Sequence, residues 1–310
     1  MADFDIVALG EPLIELNQTS KDQLKYLQGF GGDTSNAAIA AARQGARCAY
    51  LTRVGDDAFG RLFLDLWKAE GVDTSGVQTD ADAHTGLYFV QHGPDGHAFS
   101  YLRRGSAASR MTPAFLDGGL IERARFLHVS GISMAISTSA CDTVFAAMER
   151  AHAAGAQVSL DSNLRLRLWP VDRARAILRE AMRSADLFLP SMDDMQHLTG
   201  NDDPERTLDW IREGGAPGVV VLKLGKDGSI IDDGRSRKPM PALRVKAIDA
   251  TGAGDCFAGS LLARRCQGDC WEDAVRYANA AAALSTLGYG AVDPLPRAEQ
   301  VWERLKDTAG

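Results

Sequence analysis

Hydrophobic and polar positions along the chain follow two periods, and the places where one gives way to the other mark its elements. Residues 5–9 are an apolar run closed by Gly10, and residues 11–16 alternate polar with apolar as a half-exposed strand does. One strand therefore leaves a core and the next enters an appendage. A glycine-rich turn at 29–33 precedes an Ala-rich stretch, 34–43, that reads as a helix with Thr34 or Ser35 as its cap. Residues 48–54 predict a second core strand and 60–70 a helix. Residues 85–92 and 97–103 are rich in aromatic and β-favouring side chains, and Gly93-Pro94-Asp95-Gly96 between them predicts a hairpin. Apolar runs at 126–130, 157–160, 187–190 and 219–224 alternate with helical patterns at 138–154 and from 191, the rhythm of βαβ units. A small-residue helix is predicted over 274–287. The expected fold class is α/β: a mainly parallel sheet with helices on both faces, plus a small β-sheet lid from residues 11–28 and 84–104. So few lid strands cannot bury both faces alone, so the lid is expected to cover a substrate and to pair with a second copy in a homodimer.

Composition narrows the partners. The chain has 310 residues, more than a typical domain, but no linker, internal repeat or low-complexity segment divides it, so one unit over 1–310 is expected. A net charge of −7 without any basic run argues against nucleic acid or an acidic membrane surface. No basic leader opens the chain, and no run approaches the ~18 apolar residues of a membrane span. A soluble, cytoplasmic protein is the expectation. Five cysteines and six histidines fit no common zinc spacing, which favours reduced thiols.

The chemistry concentrates in Asp249-Ala-Thr-Gly-Ala-Gly-Asp255. Gly252 and Gly254 allow a sharp turn whose N–H groups, with that of Ala253, converge at the start of a helix, which makes an anion cradle. Asp255 at that helix entrance is either an N-cap or a base for a hydroxyl brought beside a bound phosphate. No Walker A loop is present, since Gly225-Lys226 is followed by Asp227, and the position late in the chain does not suit a dinucleotide fingerprint. Just past the 157–160 strand, Asn163 and Arg165 lie where open α/β sheets hold ligands.

Residues 249–255 resemble the signature loop of the ribokinase-like (PfkB) sugar kinases, in which the last Asp is the catalytic base. The resemblance runs from Gly10 to about Pro294 in four ordered motifs. Gly31, Gly32 and Asn36, with Asp33 adjacent, match the place where that family binds sugar hydroxyls, and Gly55-Asp56 with Phe59-Gly60 is another recurrent pattern. Within the family, Tyr101 and Arg103 match the Tyr-x-Arg-x-Gly-Ser-Ala stretch of 2-keto-3-deoxygluconate kinases. Asn163 and Arg165 match their Asp-x-Asn-x-Arg-x-x-Leu-Trp segment, with Tyr88 a further lid contact. The resemblance also implies a nucleotide side made by Lys223, Gly225, Gly228, Gly252, Gly254 and Asn279, the last beside adenine. It implies ATP, Mg²⁺ held through water by Asp194, and K⁺ near Asp249 and the Thr251 carbonyl. Most of the family has Asn-x-x-Glu where this chain has Ser191 and Asp194.

Unpaired guanidinium groups in a closed pocket are costly, so Arg103 and Arg165 facing one cleft imply a substrate carboxylate, and hence a sugar acid as the small-molecule partner. The alternatives are a fructokinase, which would share every feature but the acid-reading set, and a non-catalytic sugar-responsive protein, for which Asp255 would be unnecessary.

Overall fold

The computed structural model describes residues 2–20, 23–93 and 96–307. Its strands in chain order are β1 (Phe4–Leu9), β2 (Leu13–Ser20), β3 (Gln23–Gly31), β4 (Cys48–Gly55), β5 (Val72–Asp73), β6 (Val77–Asp80), β7 (Gly86–Gly93) and β8 (Gly96–Leu102). They continue as β9 (Ala124–Ser130), β10 (Gln157–Asp161), β11 (Leu187–Leu189), β12 (Val219–Lys223), β13 (Ser229–Asp232) and β14 (Arg237–Met240). The helices are α1 (Asp33–Arg43), α2 (Ala58–Ala69), α3 (Gly131–Ala135), α4 (Thr138–Ala153), α5 (Val171–Arg183), α6 (Met192–Thr199), α7 (Pro204–Glu213), α8 (Ala253–Gln267), α9 (Trp271–Ser285) and α10 (Ala298–Asp307).

The large sheet runs β14-β13-β12-β11-β10-β9-β1-β4-β5, with β6 also on β4. From β12 across to β4 every pairing is parallel, and only β13 and β14 join antiparallel. Alternate residues of a strand face opposite sides, so one face gathers Val7, Leu127, Val129, Val158 and Leu160 under α4, α5 and α7. The other gathers Ile6, Ala8, Phe126, Leu187 and Leu189 under α1, α8 and α9. Burial on both faces is what near-continuous apolar strands require, and it leaves the strands' carboxyl ends as the open edge. No helix among the described residues is long and apolar enough to cross a membrane.

The lid is a separate sheet ordered β3-β2-β7-β8. The β7–β8 hairpin forms as predicted, although its central Pro94 and Asp95 lie outside the described residues. Residues 29–31, expected in a turn, are instead the end of β3, which pairs Gly31 with Leu13 and Gly29 with Glu15. Nothing in the polar stretch from Gln23 marks a strand locally; it acquires a ladder only because β2 lies alongside. One lid face packs on the core through Ile14, Leu87 and Phe30, whose ring lies 5.2 Å from that of Phe63. The other carries the cluster of Leu13, Tyr88 and Val90.

Candidate active site

Two helix starts make the floor. Helices α2, α4, α6 and α7 are capped by the side chains of Asp57, Ser137, Ser191 and Asp203. Helix α8 begins on left-handed Gly252 (φ 75°) with no side-chain cap, so first-turn N–H groups are left for an outside acceptor. Helix α1 likewise begins without one, on Gly32 (φ 103°). A Cβ at Gly32 would lie 2.5 Å from the Glu11 carbonyl oxygen, so the hinge backbone passes where a side chain would stand. Small residues bring the two helices together: a Cβ at Gly259 would lie 2.1 Å from the Ala37 carbonyl oxygen. That closeness lets Asn36 Nδ2 donate to Asp255 Oδ2 at 2.8 Å.

Carboxylates crowd this floor. Asn163, with φ 28° the one described non-glycine residue in the left-handed half of backbone space, donates from Nδ2 to Asp33 Oδ2 at 2.9 Å, and its N–H meets Asp161 Oδ1 at 3.2 Å. Those two bonds hold a conformation that costs free energy. Removal from water, then Asp33 and Asp161 nearby, push the Asp255 carboxyl up to about 8 against the pull of Asn36 and Lys223. Asp33 is also raised, by burial first and by Asp161 in addition. Asp33 Oδ1 and Asn36 Oδ1 are buried with no hydrogen-bond partner. Two orphaned acceptors beside a raised carboxyl suit a ligand rich in hydroxyl groups.

On the lid side, the Tyr88 hydroxyl donates to Glu15 Oε2 at 2.5 Å, and a Cβ at Gly31 would lie 2.7 Å from that hydroxyl oxygen. Burial raises the Glu15 carboxyl. Tyr101 packs 5.7 Å from the Tyr88 ring and remains 41% exposed. Arg103 corrects an expectation, because it is not unpaired: its Nε donates to Glu11 Oε2 at 2.8 Å, its Nη2 adds a second bond, and Ser106 Oγ donates to Glu11 Oε1. Glu11, read as an alternating strand residue, is in fact fully buried at the lid hinge. Arg165 is exposed at the sheet's open edge with no ion-pair partner among the described residues, and its charge reaches Asp33.

The nucleotide-side residues divide. Gly225 (φ 60°) and Gly228 (φ 100°) shape the turn after β12, and a Cβ at Gly228 would lie 2.1 Å from the Met240 carbonyl oxygen. Asn279 is buried and gives its Nδ2 to Ser229 Oγ and Met240 O, both at 3.2 Å, so its amide fastens the wall of this side rather than facing out of it. Lys223 reaches Asp161 Oδ2 at 2.6 Å, and its Nζ lies 3.6 Å from where a Gly254 Cβ would be. Asp194 Oδ2 accepts from Ser162 Oγ at 2.6 Å. Asp249 accepts from Thr251 N and Oγ1 and from Gly290 N, which folds its loop on itself. No group of three or more acidic, His or Cys side chains among the described residues is arranged around a metal. Such a site fits magnesium only as a phosphate-borne, largely hydrated ion, with Asp194 able to hold one of its waters.

The model of the pfkB family carbohydrate kinases matches residues 3–298. The chain belongs to the PfkB family of carbohydrate kinases. It is 38% identical over 314 residues to 2-dehydro-3-deoxygluconokinase of Thermoproteus tenax, covering 98% of this chain and 95% of that one. It is 34% identical to fructokinase-1 of Oryza sativa subsp. japonica, covering 97% of each. Among solved structures, fructokinase from Vibrio cholerae O395 with fructose, ADP and calcium ion superposes with a TM-score of 0.87 at 31% identity, over 97% of this chain and 99% of that one. Its double mutant with fructose, ADP and potassium ion gives 0.89 at 30%, over 98% and 99%. The architecture is thus the ribokinase-like α/β fold of PfkB kinases, with its separate small sheet. Sequence reasoning missed Glu11, Glu15 and Asp161 in the PfkB cleft; Glu11 and Asp161 each stand at or just past the carboxyl end of a core strand, the signal that would have found them.

Proposed function

We propose that this PfkB kinase transfers the γ-phosphate of ATP to the primary hydroxyl of a sugar acid, 2-keto-3-deoxygluconate, giving the 6-phosphate. The observation that carries the reading is Arg165, a guanidinium without an ion-pair partner among the described residues at the open edge of the sheet, near Asp33. It suits a carboxylate, which takes two charge-assisted hydrogen bonds from one guanidinium. Sugar hydroxyls would satisfy Asp33 Oδ1 and Asn36 Oδ1, and the far hydroxyl would then face Asp255. A carboxylate whose pKa stands near the working pH keeps enough proton affinity to act as general base. The N–H groups at Gly252 and Gly254 would hold the transferring charge, that of Ala253 being given to the Ala250 carbonyl oxygen at 3.2 Å, so positioning supplies most of the acceleration.

Magnesium, when bound, neutralises phosphate charge, and Asp194 would hold one of its waters. A potassium ion at the Asp249 and Thr251 loop belongs to this reading, and the Vibrio double mutant is a potassium-bound form. We place the enzyme in the cytoplasm as a homodimer joined by its lid sheets, a reading supported by Leu27, 65% exposed, and Leu102, 56% exposed, on those strands. Small-angle scattering that gave a monomer at every micromolar concentration, with and without sugar, would remove the dimer.

A fructokinase is the second reading. It is favoured by the neutralisation of Arg103 by Glu11, which leaves Arg165 as the acid-reading guanidinium. A coupled ADP-release assay across neutral sugars and sugar acids separates the two. Turnover should be fastest on 2-keto-3-deoxygluconate, and Arg165→Ala should raise the KM for that acid about tenfold or more while the KM for ATP holds, the mark of lost substrate binding. A wild-type preference for fructose would install the second reading.

A further inference from the structure

One charged pair joins the nucleotide side to the floor. Lys223 ends β12 and Asp161 ends β10, and their 2.6 Å bond spans the carboxyl end of β11 between them. Both side chains are nearly out of solvent, 14% and 6% exposed. A buried ion pair is a weak source of stability, so its location needs another reason. The Lys223 ammonium has three N–H donors, and the structure uses one of them, on Asp161. Its Nζ stands 3.6 Å from the Cβ position of Gly254, one residue before Asp255 and inside the uncapped first turn of α8. The charges of Asp33 and Asp161 reach Asp255, and Lys223 is the cation that acts against them there.

We propose that Lys223 is the catalytic cation that meets the transferring phosphoryl group, and that Asp161 is its positioning residue. In the step, the bond from the sugar hydroxyl oxygen to Pγ forms, the bond from Pγ to the bridging oxygen breaks, the hydroxyl proton passes to Asp255, and ADP leaves. Lys223 changes no bond; its free N–H donors hold the non-bridging oxygens of the moving group. Asp161 has a second effect. An ammonium so near Asp255 would otherwise pair with it and quench the base, and the bond to Asp161 keeps it one side chain away. A glycine at 254 leaves the space between ammonium and cradle clear.

The inference rests on the kinase reading, and the test separates their failures by reading nucleotide binding as well as turnover. Calorimetry on Lys223→Met should show affinity for the β,γ-imido analogue of ATP reduced about tenfold and affinity for ADP unchanged, because only the former carries a γ-phosphate. Its kcat should fall about 10²- to 10³-fold, as when one preorganised charge donor is lost, with the sugar KM held, and Lys223→Arg should recover much of that. The groups facing Asp255 are Asp33 and Asn36 from α1, Asp161, Lys223, Tyr50 and the lid's Tyr88. Asp161→Asn, which keeps the cation and removes a neighbouring negative charge, should therefore move the acid limb of kcat/KM to lower pH, whereas Lys223→Met should move it to higher pH. Equal losses for the ATP analogue and ADP, or no loss for either, would overturn the proposal even in an active kinase. Should Lys223→Met not fold, an unmoved acid limb in Asp161→Asn overturns it alone. If wild type failed to release ADP with every sugar and sugar acid, the kinase reading would fall, and the two binding constants would still judge Lys223.

Discussion

Where α1 meets α8, the contact is made of Gly259 against Ala37 and Ala40, with hardly a side chain between the helices. Where the lid meets the core, the hinge is held by Glu11, Arg103 and Ser106, a buried polar knot with every bond made through side chains. The floor thereby fixes backbone N–H groups and one carboxyl with the stiffness of two packed helices, which suits a group that must be in place before the substrate arrives. The lid packs on the core through Ile14, Leu87 and Phe30, its other face carries the Leu13, Tyr88 and Val90 cluster with Phe99, and at the hinge polar bonds take the place of close packing. Backbone packing fixes the floor, and side-chain bonds fix the hinge.

The strongest way to test this contrast is to alter the floor's chemistry without altering its packing. Asp255→Asn should lower kcat by about 10²- to 10⁴-fold, the usual effect of losing a general base. It should also flatten a pH dependence of stability. The folded Asp255 carboxyl keeps its proton up to about 8, while an unfolded Asp releases it near about 4. The folded state thus holds more protons across that window, and this group's contribution to stability falls as pH rises through it. Urea unfolding of both proteins from pH 5 to 8.5 should show wild type losing ground to the Asn variant. Parallel curves would mean the carboxyl is not raised.

Removing the hinge comes next. Glu11→Ala leaves the Arg103 guanidinium buried and unpaired, which should cost about 3–5 kcal/mol in unfolding free energy, with a raised sugar KM and an intact ADP affinity. An unchanged denaturation midpoint would show that the lid is held by its apolar face instead. The smallest effect should come from overpacking the helix contact. Gly259→Ala puts a methyl 2.1 Å from the Ala37 carbonyl oxygen and should cost about 1–3 kcal/mol. Because it also parts Asn36 from Asp255, kcat should fall while the lid-dependent sugar KM holds; the reverse pattern would erase the distinction between floor and lid.

These residues also show how far a linear reading reaches. The core strands, the hairpin and the glycine turn at 252–254 are legible because periodicity and turn chemistry act over a few neighbours, whereas the grouping of Gly31, Gly32 and Asn36 with Asp255, 219 residues from Asn36, was legible only through the family resemblance. The isolated Gly259 within a helical run was a readable sign of close approach that went unread. Arg103 was misjudged for a different reason. Its charge is visible in the chain, but the partner that cancels it, Glu11, is 92 residues away.

By itself, then, the sequence determined the core strands and the hairpin, that the sheet is mainly parallel, and where a glycine turn opens onto a helix. Those properties follow from backbone preferences and from the burial of apolar faces, which are local or summed over many residues. The tertiary structure alone decided which charges are free. It paired Arg103 with Glu11, left Arg165 without an ion-pair partner among the described residues, set Lys223 on Asp161, and raised Asp255 by burying it and then by placing Asp33 and Asp161 beside it. A charge's free energy depends on its distance to a few specific groups and on the water removed around it, and both are set only when distant strand ends meet at one edge of the sheet.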